Sequence, residues 1–220
     1  MSRLHAHARW AIATLALPAL ALAAPITRDE LTALCVNAED QAQCGRFVEA
    51  RQLPRLSRIV ERAGDELRVS LAPFGLTIFR DTVKVTGATS YAVWDYLENL
   101  DTLVLFTTDG DRSGFLLLQR RGGEEYRVPS EPVIAPDERH FATADFCAKG
   151  CDNRVAVWRI EHDGVRKEST WAPPTPWSDV SVTWRNADTI ALEYSRPDDA
   201  QPRTLLRRLG DPSWQSVSTK

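Results

Sequence analysis

Residues 103–123 read Leu103-Val-Leu-Phe-Thr-Thr-Asp-Gly-Asp-Arg-Ser-Gly-Phe-Leu-Leu-Leu-Gln-Arg-Arg-Gly-Gly123. Two apolar runs, 103–106 and 115–119, flank a connection of eight residues that carries Asp109-Gly110, and Gly122-Gly123 closes the unit. Short runs rich in Leu, Val and Phe and bounded by turn residues are strands, and two of them around one turn make a hairpin. The pattern returns twice. Runs 141–146 and 155–160 flank a Cys-bearing loop and end at Asp163-Gly164; runs 190–194 and 204–209 flank a Pro/Asp loop and end at Gly210-Asp211. The units start about 38 and 49 residues apart, which points to a repeated supersecondary unit.

Outward from these units, further β-rich runs at 66–71, 76–79, 83–85, 90–96, 125–128 and 180–184 fill the chain from about residue 55. Gly64-Asp65, Pro73-Phe74-Gly75 and Thr86-Gly87 punctuate them as turns. Strands do not alternate with helices of about 10–15 residues, so a Rossmann or TIM architecture is excluded, and a sandwich, barrel or propeller-type array is expected. Ala135-Pro-Asp-Glu-Arg-His-Phe-Ala142 resembles the Ser-Pro-Asp-Gly-x-x-aromatic-Ala blade pattern of WD40 and TolB-type β-propellers, and Val155-Ala-Val-Trp158 resembles the strand that follows it. Ala135 stands in place of the usual Ser, and Glu138 in place of the usual Gly. The resemblance spans about residues 91–209. It implies a mainly β fold, a partial or open β-propeller-like antiparallel sheet array of three or four units; a β-sandwich is the alternative. The blade motif describes a turn, so it transfers no catalytic or binding residue.

The chain ahead of residue 55 reads differently. Arg3 and Arg9 precede an apolar run, residues 10–23, which ends in Ala21-Leu-Ala23. This is the pattern of a secretory signal peptide over residues 1–23, and the run is short for a membrane anchor, which needs roughly 20 residues. The expected product is periplasmic or secreted, with no membrane span after cleavage. Residues 24–54 form a helical segment ahead of an all-β domain, 55–220. Thr27 with Glu30 is a capping box for a first helix, and Asn37 is the expected cap of a second that reaches Gln52 and stops at Pro54.

Four cysteines in an exported chain favour disulfides, and their clustering pairs Cys35 with Cys44 and Cys147 with Cys151. Zinc is the competing reading of Cys147-x3-Cys151, but no second ligand pair accompanies it. The 220 residues are 43% hydrophobic and 26% charged with a net charge of -3, an ordinary globular balance that gives a nucleic-acid backbone no electrostatic footing.

Catalytic signatures are sparse. His140 and His162 are the only histidines after residue 23, and the chain contains no Gly-x-Ser-x-Gly elbow, His-Glu-x-x-His, phosphate loop or dinucleotide fingerprint. No catalytic residue and no cofactor is assigned, and the reading leans away from an enzyme. Asp109, Asp111 and Ser113 match the first half of a calcium loop, but its twelfth position is Arg120, and a hairpin tip needs the same residue types. Trp171 and Trp177 flank Ala172-Pro-Pro-Thr-Pro176. Exposed aromatics on a Pro-stiffened loop lose little entropy on binding, so these two are the candidate contact residues. The expected function is an exported protein-binding module of the cell envelope, an inhibitor or immunity-type protein being one concrete form. A carbohydrate or small-ligand binder is the alternative, and a hydrolase ranks third.

Overall fold

The computed structural model describes residues 26–84 and 87–216; the expected signal peptide, residues 1–23, lies outside the described residues. Two helices open the described chain, α1 (Arg28–Cys35) and α2 (Gln41–Leu56). Thr27 caps α1 as expected, its hydroxyl accepting from the Glu30 N–H. Asp40, not Asn37, caps α2, its carboxylate accepting from the Gln43 N–H at 2.7 Å. Pro54 does not stop α2, which runs on to Leu56. The missing N–H falls opposite the carbonyl of Ala50, an exposed position where water can satisfy it. The Cys35–Cys44 disulfide ties the two helices together.

The rest of the described chain is four antiparallel sheets, built from strands consecutive in sequence except for one late strand that joins the third. The first holds β1 (Val60–Ala63), β2 (Glu66–Ser70) and β3 (Leu76–Arg80). The second holds β4 (Thr82–Lys84), β5 (Gly87–Leu97), β6 (Thr102–Asp109), β7 (Arg112–Gln119) and β8 (Glu124–Val128). The third holds β9 (Val133–Ile134), β10 (His140–Asp145), β11 (Arg154–Glu161) and β12 (Gly164–Trp171), and the fourth β13 (Ser178–Asn186), β14 (Thr189–Arg196) and β15 (Asp199–Arg208). A last strand, β16 (Gln215–Ser216), returns to pair with β12. The fold is mainly β with a helical N-terminal segment, and no sheet closes into a barrel among the described residues. The three expected hairpins are present as β6–β7, β10–β11 and β14–β15.

Side-chain alternation explains how the sheets meet. In β6, Leu103 and Leu105 join one cluster with Leu67, Val69 and Phe79 of the first sheet. Val104 and Phe106, pointing the other way, join Phe141 and Ile160 of the third. In β11, Val155 and Val157 in turn share a cluster with Val182, Ile190 and Leu192 of the fourth. Each sheet thus shares one core with the next in chain order. The central strands of the second and third are buried on both faces, so β6 is buried from Thr102 to Thr108 and reads as a continuous apolar run, not as an alternating one. The first and fourth sheets end the series.

Helix α2 is fixed against β5 by polar contacts. A β-bulge between Val93 and Asp95 leaves Trp94 without a partner in β6. Glu49, Gln52 and Arg55, spaced along one side of α2, meet the bulge in turn. The Val93 N–H donates to Glu49 Oε2 at 2.9 Å, Gln52 Nε2 donates to the Trp94 carbonyl at 2.8 Å, and Arg55 Nη2 donates to Asp95 Oδ1 at 2.5 Å. Glu49, only 2% exposed, also accepts from Arg46 and bidentately from Arg62. Gly45 permits the close approach, since a Cβ there would lie 2.8 Å from Phe106 Cδ1. Breaking a buried, hydrogen-bonded ion pair leaves uncompensated charge. Glu49→Ala is therefore expected to lower the unfolding free energy by about 3–5 kcal/mol. Arg51→Ala, which removes only the exposed pair with Glu30, is expected to cost less than about 1 kcal/mol in the same urea titration.

Candidate functional site

The outer face of the first sheet carries an exposed apolar surface. Strand alternation sends Leu67, Val69 and Phe79 inward to the core, which leaves Glu66, Arg68 and Ser70 of β2 and Leu76, Ile78 and Arg80 of β3 facing out. Leu76 is 57% and Ile78 41% exposed, and they sit in register with Ser70 and Arg68. The connection from β2 to β3 raises Phe74 to 93% exposure. That loop is pinned at its base: the Leu71 N–H donates to the Gly75 carbonyl at 3.0 Å and the Ala72 N–H to the Arg120 carbonyl at 2.8 Å. Arg120 also reaches back, Nε donating to the Ser70 carbonyl and Nη1 to Asp101 Oδ1. Tyr96 donates its hydroxyl to the same Asp101 oxygen; burial first, then this bond, pushes the phenol's pKa up and keeps it a donor.

Charges rim the apolar strip. Arg80 and Arg68 both fork onto the one carboxylate of Glu66. Hydrogen bonds from Arg80 and then Arg68 hold that carboxyl below its usual range. Arg58 and Glu61 border a shallow hollow that Ile59, Leu76 and Ile78 also line. An aliphatic strip with a projecting aromatic and a charged border is the anatomy of a protein-contact surface. Sequence reasoning took Pro73-Phe74-Gly75 only as a turn. A readable signal was there: an aromatic between Pro and Gly in a tight connection has no inward position to occupy. Run 76–79 is also apolar at Leu76, Ile78 and Phe79, which one half-buried face cannot absorb.

Trp171 and Trp177 are not on the surface; they are 6% and 8% exposed and belong to the core between the third and fourth sheets. This corrects the expectation of an exposed tryptophan platform. Trp177 lies over Tyr194 with ring centroids 3.6 Å apart and packs against Trp171 and Phe146. Arg207 covers Trp171 at 4.4 Å. The Pro-rich loop turns its rings inward because the fourth sheet needs bulky apolar side chains to cover the third.

The calcium candidates sit at the β6–β7 hairpin. Asp109 pairs with Arg112 across Gly110-Asp111, Gly110 takes φ 60°, and Asp109 accepts from the Thr89 hydroxyl. Ser113 lies within β7 opposite Thr108. Among the described residues no group of three or more His, Cys, Asp or Glu side chains is placed to hold a metal ion. Cys147 and Cys151 form a disulfide in the β10–β11 loop, matching the expected pairing, as Cys35–Cys44 does. No helix among the described residues is long and apolar enough to cross a membrane.

His140 closes the turn ahead of β10. Its Nδ1 faces Asp137 Oδ2 at 2.5 Å and its Nε2 faces Glu168 Oε2 at 3.3 Å, while Arg159 donates to Glu168 at 2.5 Å. A bulge in β12, where Val157 pairs with Ser169 and Trp158 with Lys167, leaves Glu168 over and aims it there. Both ring nitrogens thus face carboxylates. Glu138 takes the left-handed conformation, φ 56°. Asp137 Oδ1 supports that turn by accepting from the Arg139 and His140 N–H groups. His162 Nε2 meets Arg121 Nη1 at 2.5 Å, between the β7–β8 and β11–β12 turns.

No protein-family model matches the chain, and no curated protein matches it in sequence.

Two outcomes are expected from these placements. Trp177→Ala should lower stability by about 3–5 kcal/mol in urea titration, as a buried aromatic does, instead of removing a surface contact. Asp137 titrates below the ordinary Asp value: burial pushes its carboxyl up, but the Arg139 N–H and then the His140 ring and N–H outweigh it. A depressed carboxylate contributes stability above its unfolded value, near pH 4, and loses it as pH falls through the lower folded value. The unfolding free energy of the native protein should therefore drop more steeply below about pH 4 than that of Asp137→Asn, measured across the acid range.

Proposed function

We propose that the chain is an exported protein-binding module of the cell envelope, of inhibitor or immunity type, and that it contacts its partner through the outer face of the first sheet. The observation that carries this reading is Phe74, 93% exposed on a loop pinned at both ends and continuous with exposed Leu76 and Ile78. Pre-ordered aromatic anchors bind at low entropic cost, which is why such residues dominate interface energetics. Two disulfides fit an oxidising compartment outside the cytoplasm. Four consecutive meander sheets, each sharing a core with the next, support the reading of the scaffold as a partial, open propeller-like array. The carbohydrate alternative loses its support, because the tryptophans it relied on are covered.

The test is affinity capture of the tagged, exported protein in native envelope extract, with the partner identified and then titrated in purified form. Phe74→Ala and Ile78→Ser are each expected to weaken that titration about 30-fold, the effect of removing an interface anchor worth roughly 2 kcal/mol. Melting temperatures should stay unchanged. A partner whose affinity ignores both substitutions sinks the assignment of this face.

A further inference from the structure

The same face has an open hydrogen-bonding edge, and its chemistry narrows what can occupy it. In the first sheet the order is β1-β2-β3, so β3 is terminal, and among the described residues no strand pairs with its outer side. Sheet edges elsewhere carry features that discourage pairing. β15 contains Pro202 and the charged Arg203, Arg207 and Arg208; β8 contains Glu124, Glu125 and Arg127; β13 is broken by two register shifts against β14; β1 has four residues, two of them the charged Glu61 and Arg62; β4 has three residues, and β9 and β16 have two each. β3 has five residues, no proline, no bulge in its pairing with β2, and two exposed aliphatic side chains. Phe79, 6% exposed in the core, fixes the strand from beneath.

Charge selects the occupant. The outward residues of β3 are Leu76, Ile78 and Arg80. Arg80, with 62% of its side chain exposed, shares the single Glu66 carboxylate with Arg68, itself 40% exposed. Two guanidiniums share the one Glu66 carboxylate, and Glu61, in register with Arg68 on β1, adds its negative charge on the Arg68 side, so the surplus positive charge falls to Arg80 on the outer strand. A second copy of β3 brings no carboxylate to it. Antiparallel self-pairing centred on Ile78 sets Arg80 opposite Leu76, and parallel in-register pairing sets Arg80 opposite Arg80.

Resting on the protein-binding reading above, we propose that the partner is held by strand addition: an extended segment of a different protein pairs antiparallel with β3, placing an acidic side chain against Arg80 and apolar side chains against Ile78 and Leu76. Main-chain hydrogen bonds supply affinity in this mode and alternate side chains supply selectivity. The segment reads acidic-x-apolar-x-apolar from its N-terminus, and Phe74 lies beyond its last apolar residue as a further anchor.

The experiment uses the exported protein and a blocked Thr-Glu-Thr-Val-Thr-Val-Thr peptide, followed by amide shifts in a 15N spectrum up to millimolar peptide. Expected are saturable shifts centred on residues 76–80. Binding should be at least tenfold weaker when Glu is replaced by Lys, and lost when the alternate backbone amides that face β3 are N-methylated. Arg80→Glu, checked for fold by circular dichroism, is expected to reverse the preference between the Glu and Lys peptides. No shifts at residues 76–80, or equal binding of the N-methylated peptide, overturns strand addition. So does concentration-dependent shifting of the same amides without peptide, which identifies a second copy as the occupant. If strand addition fails while the captured partner still responds to Phe74→Ala, the face remains a contact surface and only the pairing mode is wrong. If the partner ignores Phe74→Ala and Ile78→Ser, the broader reading has failed.

Discussion

The extra residue in β5 sets the position of everything ahead of it. A bulge leaves Trp94 without a strand partner, and the Val93 N–H and Trp94 carbonyl beside it lie in a part-buried setting, where unsatisfied polar groups are costly. The chain answers with Glu49 and Gln52, and the same helix adds Arg55 on Asp95. Glu49 carries a charge that must itself be neutralised, so Arg46 from the helix and Arg62 from β1 close around it. Arg46 also pairs with Asp81, which accepts from the Tyr91 N–H. One irregularity in one strand therefore couples a helix and two sheets through charge-assisted hydrogen bonds, whose geometry is far more restrictive than apolar contact. The first sheet, and the exposed face it presents, inherits its orientation from this network.

Beyond that joint the architecture is repetitive. Each sheet buries a face against its chain neighbour, and the central strands of the two inner sheets, β6 above all, are buried on both faces. End sheets in such a series must either expose apolar surface or cover it with polar residues. The fourth sheet takes the second course on most of its outer face, with Ser181 paired to Glu193 and Thr183 to Ala191 across β13 and β14, and Leu206 left exposed on β15. The first sheet does so only in part: Glu66, Arg68 and Ser70 are polar, while Leu76 and Ile78 are not. This asymmetry between the two ends is the physical ground for placing function at the first.

Much of this was legible in the residues. The capping box at Thr27, the three hairpins and both disulfide pairs follow from local rules whose partners are near in sequence. β12 was not foreseen, because Gly164-Val-Arg-Lys-Glu-Ser-Thr-Trp171 offers only Val165 and Trp171 as core residues. Its charged side chains are satisfied across the sheet by Glu161 and Arg159 and by the Trp158 ring, contacts that no sequence period encodes. The tryptophans were misplaced for a related reason. Their loop has the composition of a surface segment, and what buries them comes from Phe146 and Tyr194, distant in sequence. The exposed face eluded reading because exposure of Leu76 and Ile78 depends on β3 being terminal, a fact of topology and not of the strand itself.

The return of β16 to β12 has one more consequence. Ser216 pairs with Ser169 and Gln215 with Thr170, so the chain leaves the third sheet after Trp171 and comes back beside its point of departure. In covalent terms the whole fourth sheet is an excursion, residues 172–214, clasped at its neck by two residues of strand and by Trp214 beside it in the core. The third sheet is complete as a four-stranded meander without that excursion. A domain organised this way has a natural cassette: a segment that can be exchanged or elaborated between fixed ends while the helices, the β5 joint and the exposed face at the far end keep their places.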